Sequence, residues 1–303
     1  MNAAVIKLEA LHKYYGKVHA LRGLNLTVQP GEVFGFLGPN GAGKTTTIRC
    51  MLDLIRPNHG SIEVLGLDPQ KTPQRVKAQV GYLPGNLVLE GELTPRKLFK
   101  HLRRLRGDLR SWTELLALAK RFALPLDQKI ETLSQGNRQK VGLIQCFIGQ
   151  VPLMLLDEPT LGLDPLMQQE VLNLIREEAG RSTTIFFSSH ILSEVQKIAD
   201  RVGIIRHGAL VEISATEALI NRALTRAIVQ FSEPVVETSF EHLANIKILR
   251  INDNHRSYTF EVSGEIDGLI KTLANFSVAD LAIHRPSLEE VFLKYYKDDH
   301  REA

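Results

Sequence analysis

Residues 33–46 read VFGFLGPNGAGKTT, and the order of elements in this stretch decides the fold class. Its first five residues form a continuous apolar run, which is typical of a strand buried on both faces of a sheet. Residues 46–54 then show helical spacing, with Ile48, Met51 and Leu52 on one face. The stretch therefore predicts a strand, a glycine loop and a helix in succession, which is how an α/β unit begins.

The glycine loop, residues 38–45, matches the pattern G-x-x-x-x-G-K-[ST]. Glycines let backbone N–H groups close around phosphate oxygens, and the helix that follows points its positive end at the anion. In such a loop Lys44 reaches the β- and γ-phosphates of a nucleotide, and Thr45 binds Mg²⁺ through its hydroxyl group. The alternative is a chance glycine turn, which is disfavoured because a strand precedes the loop and a helix follows it.

Two carboxylates follow within one domain length of the loop. Residues 153–158 read LMLLDE, so Asp157 and Glu158 stand at the carboxyl end of a buried strand. Ligands bind at that edge of open α/β sheets. Asp157 can hold Mg²⁺ through its water shell, and Glu158 can take a proton from an attacking water molecule. The alternative is a strand that merely ends in two solvated acids.

Strands and helices alternate through the middle of the chain, which is typical of a mainly parallel sheet. These patterns lie, in chain order, at residues 153–157, 165–179, 184–188, 191–199 and 202–205. A helical block, about residues 88–150, is inserted before them; within it residues 94–124 and 138–149 have helical patterns, and Ser111 with Glu114 forms a capping-box pattern.

The last third of the chain carries no such motif and mixes strand-like with helix-like pieces. A further helix is predicted from Ser214 and Glu217. The pieces beyond it lie at residues 227–231, 246–251, 258–262, 265–276 and 288–296. The sequence therefore predicts two domains, a nucleotide-binding domain over residues 1–220 and a small α+β domain over residues 221–303.

Composition excludes several classes of protein. The 303 residues are 44% hydrophobic and 23% charged, as in soluble globular proteins. Two cysteines exclude a disulfide framework, the start of the chain does not resemble a secretion signal, and no apolar run approaches the ~18 residues of a membrane span. The formal charge is +6 over residues 1–220 and −3 over residues 221–303. The basic part therefore predicts an anionic partner: nucleotide, nucleic acid or a membrane surface.

Three further segments are weak signals when they are taken singly. Residues 133–137 read LSQGN and open a helix, residues 161–164 read LGLD, and residues 188–190 read SSH at the end of a strand. Each also has an ordinary structural interpretation: a helix N-cap, a helix-starting aspartate and a hydrogen-bonded histidine. Their order relative to the glycine loop and the acidic pair is what gives them weight.

In that order, residues 3–215 resemble the ATP-binding subunits of ABC transporters. The glycine loop is similar to the Walker A motif of that family and residues 153–158 to its Walker B motif. LSQGN is similar to the signature loop, usually LSGGQ, while Asp164 corresponds to the D-loop and His190 to the switch histidine. Tyr15 corresponds to the aromatic residue that stacks on adenine, for which ordinary strand packing is the alternative.

The resemblance implies a P-loop NTPase fold with an N-terminal antiparallel β subdomain and a helical subdomain. It also implies a head-to-tail dimer that binds ATP and Mg²⁺, with Glu158, His190 and Lys44 as catalytic residues and with Thr45 and Asp157 at the metal. One subunit would bind ATP through Tyr15, Gly38, Pro39, Asn40, Gly41, Ala42, Gly43, Lys44, Thr45 and Thr46. The other would contribute its signature loop, Ser134, Gln135, Gly136 and Asn137.

The implied partner is a multi-span membrane permease, and no nucleic acid is expected. The chain itself would be cytoplasmic and peripheral on the cytoplasmic face of the cell membrane. His190 would contact the γ-phosphate, and Asp164 would communicate between the two sites. Residues 286–293 resemble the C-terminal extension of a subgroup that serves exporters. The prediction is an ATPase that powers export. The alternatives are a soluble ABC ATPase acting as a switch in translation or DNA repair, and a nearly inactive regulatory subunit.

The chain departs from the family pattern at two places. Gly85 stands where a glutamine usually contacts Mg²⁺ or the attacking water and relays to the membrane subunit; a glycine cannot do so, whereas the amide of the next residue, Asn86, could. In the signature loop, Gln135 replaces a glycine and Asn137 a glutamine.

A basic segment is the last candidate feature. Its side chains form either a solvated face, a surface near lipid headgroups or a permease, or a nucleic-acid surface, for which no reader motif is present. Its members are Arg96, Lys97, Lys100, Arg103, Arg104, Arg106 and Arg110.

Overall fold

The computed structural model describes residues 3–105, 110–222 and 225–284. The chain divides into two compact units, Met1–Thr216 and Glu217–Ala303. The division falls near the start of a helix, Thr216–Arg222, so residue 220 lies inside that helix. The predicted helix over residues 288–296, the exporter-like segment 286–293 and Arg106 lie outside the described residues.

The first unit begins with an antiparallel sheet of three strands, in the order β2-β1-β4. The strands are β1 (Ile6–Tyr15), β2 (Val18–Val28) and β4 (His59–Val64), and β3 (Val33–Leu37) lies between the last two in sequence. In β2 the side chains of Leu24, Leu26 and Val28 are buried and the residues between them are exposed. That alternation follows from one face of the strand packing on the core. The implied N-terminal antiparallel β subdomain is confirmed.

The second sheet of this unit has six strands in the order β5-β6-β7-β3-β8-β9. Its strands besides β3 are β5 (Val80–Leu83), β6 (Leu153–Asp157), β7 (Thr184–Ser189), β8 (Arg201–Arg206) and β9 (Ala209–Ala215). All neighbouring pairs are parallel except β8 with β9. Every residue of β3, β6 and β7 is buried, which explains their continuous apolar runs. Because these three strands are parallel neighbours, the loops after them lie at one edge of the sheet.

Helices connect these strands. They are α1 (Lys44–Met51), α2 (Pro73–Ala78), α3 (Pro95–Leu105), α4 (Trp112–Arg121), α5 (Gln135–Cys146), α6 (Pro165–Ala179) and α7 (Leu192–Ile198), followed by α8 (Thr216–Arg222). A short 3-10 helix, Ile130–Thr132, precedes α5.

The inserted helical block contains α3, α4 and α5. The predicted capping box is present: Glu114 N donates to Ser111 Oγ over 3.2 Å, and Ser111 N donates to Glu114 Oε2 over 2.7 Å. The predicted helix over residues 138–149 is displaced. It begins at Gln135, because Ser134 caps it, and ends at Cys146.

The second unit is an α+β unit, as predicted. Its antiparallel sheet has the order β11-β12-β10-β13, with β10 (Thr225–Phe231), β11 (Ile246–Asn252), β12 (Ser257–Val262) and β13 (Val278–His284). Among the described residues it also contains a 3-10 helix, Glu237–Phe240, and α9 (Asp267–Leu273). The core contains Val229, Tyr258, Phe260, Phe240 and Leu269.

In this region one strand was not predicted, and one helix begins later than predicted. Strand β13 was not expected, because nearly all of its residues are exposed and the sequence shows no alternation; pairing with β10 forms it instead. The helix expected from Ser214 begins at Thr216, because Ser214 pairs with Val202 in the sheet.

Candidate active site

The glycine loop joins the end of β3 to the start of α1. Gly43 is the N-cap of α1 and has a φ of +114°, a conformation that side chains rarely allow. A Cβ at this position would also lie 3.0 Å from the carbonyl oxygen of Ala20. The loop can therefore close against the neighbouring strand only with glycine at this position.

Lys44 is almost completely buried, with 6% of its surface exposed, and its ammonium group lies inside the loop. Its Nζ donates to the carbonyl oxygens of Gly38 (2.5 Å) and Pro39 (3.2 Å). It also lies 3.1 Å from Glu158 Oε1, an ion pair whose angles fall outside hydrogen-bond geometry. The loop thus holds one cation between its own carbonyl groups and the acidic strand end.

Asp157 is fully buried and accepts hydrogen bonds from two hydroxyl groups. Thr45 Oγ1 donates to its Oδ2 over 2.7 Å, and Ser188 Oγ donates to its Oδ1 over 2.6 Å. Hydroxyl and carboxylate oxygens are ligands that suit Mg²⁺. Within residues 3–105, 110–222 and 225–284, no group of three or more His, Cys, Asp or Glu side chains could hold a metal by itself. An ion here would therefore need further ligands, such as phosphate oxygens and water.

Ser188 is a site residue that the sequence analysis did not single out. It lies directly opposite Asp157 in the β6–β7 register. Its hydroxyl and carbonyl oxygens both accept from the backbone N–H of Glu158, at 3.1 Å and 3.2 Å. The serine therefore orients the Asp157 carboxylate and holds the backbone of Glu158. Its place two residues before His190, in the SSH segment, is the only sequence signal for it.

Glu158 and His190 form a direct pair across the ends of β6 and β7. His190 Nδ1 lies 2.8 Å from Glu158 Oε2. Glu158 has a φ of +51°, which costs a residue with a side chain about 1–3 kcal/mol. The hydrogen bonds of its N–H group to Ser188 support this conformation. The side chain is thereby directed between the glycine loop and the histidine.

A cavity of about 290 Å³ lies at this edge of the sheet. It is lined by Ala20, Pro39, Asn40, Gly41, Gly43, Lys44, Thr45, Thr46 and Glu158. The structure thus brings together most of the expected ATP-binding residues and the expected base. Ala20 had no signal in the sequence, because its place depends on the path of β2 behind the loop.

Three expected ATP-binding residues do not belong to this lining. Gly38 takes part through its carbonyl oxygen, which accepts from Lys44, and Ala42 is buried behind the loop. Tyr15, at the end of β1, is 45% exposed, and Lys13 Nζ lies 5.3 Å from the centre of its ring. Its predicted contact with adenine stays a prediction.

The signature loop is away from the cavity of its own chain. None of Ser134, Gln135, Gly136 and Asn137 belongs to the lining of that cavity among the described residues. Ser134 Oγ accepts from Asn137 N at the start of α5 (3.3 Å), and Ser134 and Gln135 are exposed. A Cβ on Gly136 would lie 3.1 Å from the carbonyl oxygen of Gly162, so this loop packs on the D-loop of the same chain.

Asp164 has a structural role within the chain. It is the N-cap of α6, and its Oδ1 accepts from Leu166 N (3.1 Å) and Met167 N (3.0 Å). The ordinary interpretation as a helix-starting aspartate is therefore sufficient for its conformation. Communication between two sites stays a prediction.

Gly85 lies against the proposed metal-binding carboxylate. A Cβ at this position would be 2.9 Å from Asp157 Oδ2 and 3.1 Å from Asp157 Cγ. A glutamine at position 85 would therefore displace Asp157 in this conformation. Asn86 is exposed.

Burial raises the pKa values of two groups near this site. It raises the pKa of the Cys50 thiol, on α1, to about 11. Burial and the Asp157 carboxylate raise the pKa of Tyr82. At neutral pH the Cys50 thiol therefore stays protonated, which makes it a poor nucleophile.

Comparison with known proteins identifies the family of this chain. A sequence model of the family described as ABC transporter matches residues 21–161. The chain is 33% identical over 313 residues to the daunorubicin resistance ATP-binding protein DrrA3 of Streptomyces coeruleorubidus, covering 99% of this chain and 98% of the relative. The chain belongs to the ABC transporter ATP-binding family. As a member of this family it binds ATP and is an ATP hydrolase.

Two further ABC proteins are similar to it. The bacitracin transport ATP-binding protein BcrA of Bacillus licheniformis is 30% identical over 304 residues, which cover 96% of this chain and 85% of the relative. A solved ATP-binding subunit of an ABC transporter superimposes with a TM-score of 0.65 at 28% identity, covering 71% of this chain and 91% of that one.

Proposed function

We propose that this chain is the ATPase subunit of a membrane exporter, and that two ATPase subunits close on MgATP. The observation that carries the proposal is the continuous contact from the glycine loop through Lys44 and Glu158 to His190. The names of two relatives, which refer to drug resistance and to bacitracin transport, support export over a role in translation or DNA repair.

The residues of the site have complementary roles in this proposal. Lys44 balances the charge of the β- and γ-phosphates. Thr45 and Asp157 are the residues that would hold Mg²⁺, and the ion would supply positive charge next to the phosphate oxygens. Glu158 takes the proton of the attacking water, and His190 orients that carboxylate from its Oε2 side while facing the γ-phosphate. Proton transfer of this kind contributes about 10²–10⁴-fold to a rate.

The second half of the ATP site comes from another subunit in this proposal. The exposed Ser134 and Gln135 stand at the N-terminus of α5, where backbone N–H groups and the helix dipole favour an anion. Because the loop packs on its own D-loop rather than on its own cavity, it is available to a facing subunit. Closure of two subunits would surround the triphosphate with donors and exclude water.

A groove in the first unit supports a membrane partner. Its cavity of about 240 Å³ is lined by Leu52, Leu54, Lys77, Val80, Tyr82, Leu102, Gln145 and Cys146. The lining includes β5 residues, and β5 leads to Gly85 and hence to Asp157. A permease segment seated here would therefore touch the strand that leads to the metal site.

The basic segment is partly occupied by contacts within the chain. Arg96 makes two hydrogen bonds to Asp127 (2.7 and 2.8 Å), Lys100 lies over the ring of Trp112, and Arg110 is buried against Glu178. Lys97 and Arg104 are exposed, and these two can face lipid headgroups or a permease. Across the described residues, the helices are all too short or too polar to cross a bilayer.

Purification from detergent-solubilised membranes tests the proposal. The expected result is co-purification with a multi-span protein whose presence changes the ATPase rate. Recovery with ribosomes or DNA instead, and without a membrane protein, would favour the soluble ABC ATPase.

A further inference from the structure

A buried carboxylate behind the site, that of Glu194 on α7, has no role in the mechanism so far. It is 5% exposed. Its Oε1 accepts a short hydrogen bond from Thr160 Oγ1, and its Oε2 accepts one from Ser189 Oγ over 2.7 Å. Thr160 and Ser189 are themselves buried. A carboxylate in such surroundings is costly unless hydrogen bonds satisfy it, and here each of its oxygens has a hydroxyl donor.

The two hydroxyl groups belong to the two segments that carry Glu158 and His190. Thr160 follows Glu158 by two residues and immediately precedes the D-loop, and Ser189 immediately precedes His190. One side chain therefore fastens the turn after β6 to the end of β7. The atoms that this bridge holds in register are Glu158 Oε2 and His190 Nδ1, which lie 2.8 Å apart.

Both segments need such support because neither is regular backbone. Glu158 has the left-handed φ of +51°, and Ser189 Oγ also accepts from Ile191 N (2.9 Å) across the turn at His190. From the other side, Gln139 Nε2 donates to the carbonyl oxygen of Pro159 over 3.3 Å. Of these side chains, Glu194 is the one whose carboxylate contacts both segments.

We infer that Glu194 is a positioning residue for hydrolysis: it sets the Glu158–His190 spacing by bridging Thr160 and Ser189. This inference rests on the proposed role of Glu158. Because Glu194 is not part of the lining of the ATP cavity, its loss lowers the rate of the chemical step and leaves ATP binding unchanged.

The variant Glu194→Ala tests the inference in the full chain. We expect kcat for ATP to fall about tenfold or more, as for a lost hydrogen bond to a charged group, with KM and the affinity for MgATP within about twofold of wild type. The pH profile of kcat should change as well, because the Glu158–His190 pair is no longer held. Ser193→Ala, an exposed position on the same turn of α7, is the matched control and should behave as wild type.

Two conservative variants keep the test decisive if Glu194→Ala does not fold. Glu194→Gln keeps the size and one acceptor oxygen, so kcat should recover to within a few-fold of wild type. Thr160→Val keeps the volume and removes one donor, so it should lower kcat with KM unchanged.

A kcat for Glu194→Ala that matches Ser193→Ala would overturn the inference. So would a parallel loss of kcat, ATP affinity and thermal stability in Glu194→Ala, with Glu194→Gln and Thr160→Val equal to wild type, since that pattern means a purely structural role. Glu158→Gln separates the two proposals. If it hydrolyses ATP at the wild-type rate, the proposed function of the site fails; if it is inactive while Glu194→Ala is normal, only the present inference fails.

Discussion

The two regions that are proposed to bind the triphosphate differ in their contacts within the chain. At the carboxyl edge of the parallel sheet, Lys44, Asp157, Glu158 and His190 each contact another charged or polar group of the same chain. At the signature loop, Ser134 and Gln135 are exposed and lie outside the cavity that their own chain forms. The first region is preorganised by the fold, whereas the second is a surface. This difference supports the proposal that each chain holds the catalytic residues and that a second chain completes the ATP site.

The largest effect is expected when the proposed general base, Glu158, is removed from the preorganised region. Glu158→Gln should lower the ATPase rate about 10²–10⁴-fold, because an amide cannot accept the proton of the attacking water. ATP affinity should be retained, since Lys44 and the glycine loop are intact. Steady-state phosphate release and equilibrium ATP binding check the two halves of this prediction, and hydrolysis at the wild-type rate would contradict it.

Removal of the buried Lys44 ammonium group should weaken ATP binding and not only lower the rate of hydrolysis. Lys44→Ala should weaken ATP binding by about 2–5 kcal/mol, because it removes the charge that faces the phosphates and leaves Glu158 without its cation. Titration with a fluorescent ATP analogue measures this. Lys17→Ala, an exposed lysine, is the control and should bind as wild type. Unchanged affinity in Lys44→Ala would refute the assignment of the loop.

A charge introduced in the signature loop tests whether this loop faces the phosphates of a second subunit. Gln135→Glu changes one exposed amide to a carboxylate without changing its size, so the folded chain should be unaffected. In the proposed dimer the new charge faces phosphate, and ATP-driven association should weaken about tenfold or more, whereas ATP binding to the single chain should not change. Gln128→Glu makes the same change at another exposed position and should have no effect. Equal association of both variants would remove the signature loop from the interface.

The smallest effect is expected at Gly85. A Cβ there would press on Asp157, so Gly85→Ala should cost about 1 kcal/mol in the transition state, or about a fivefold lower ATPase rate. Gly180→Ala is the control, because a Cβ at position 180 has only ordinary contacts, the nearest at 3.4 Å. A faster ATPase rate in Gly85→Ala would contradict this prediction. It would show that the lack of a side chain at position 85 limits the rate, rather than the close approach of a Cβ to Asp157.

Local patterns predicted the parts of the site that depend on neighbouring residues. The glycine loop, the Asp157–Glu158 pair and the strand that precedes each are read from short stretches, because their conformations are set by glycine and by continuous apolar runs. The contacts of Ser188 with Asp157 and of Glu194 with Thr160 were not predictable in this way. They depend on the register of β6 with β7 and on the return of α7 behind the loops, which bring residues more than 30 positions apart together.

The same reasoning explains the errors in the fold. Strand β13 escaped prediction because it lies at the edge of its sheet and its apolar residues, such as Leu281 and Ile283, remain partly exposed. The predicted helix over residues 138–149 starts later than α5 because Gly136 and Asn137 are poor helix formers, and the Ser134 cap lets the helix begin before them.

The molar mass of Glu158→Gln in solution tests the central claim most directly. Light scattering should give the mass of one chain, 33.9 kDa, without nucleotide and twice that mass with saturating MgATP. The double variant with Gln135→Glu should remain at the mass of one chain at the same ATP concentration. A single-chain mass for Glu158→Gln in saturating MgATP, with ATP bound, would contradict the shared site.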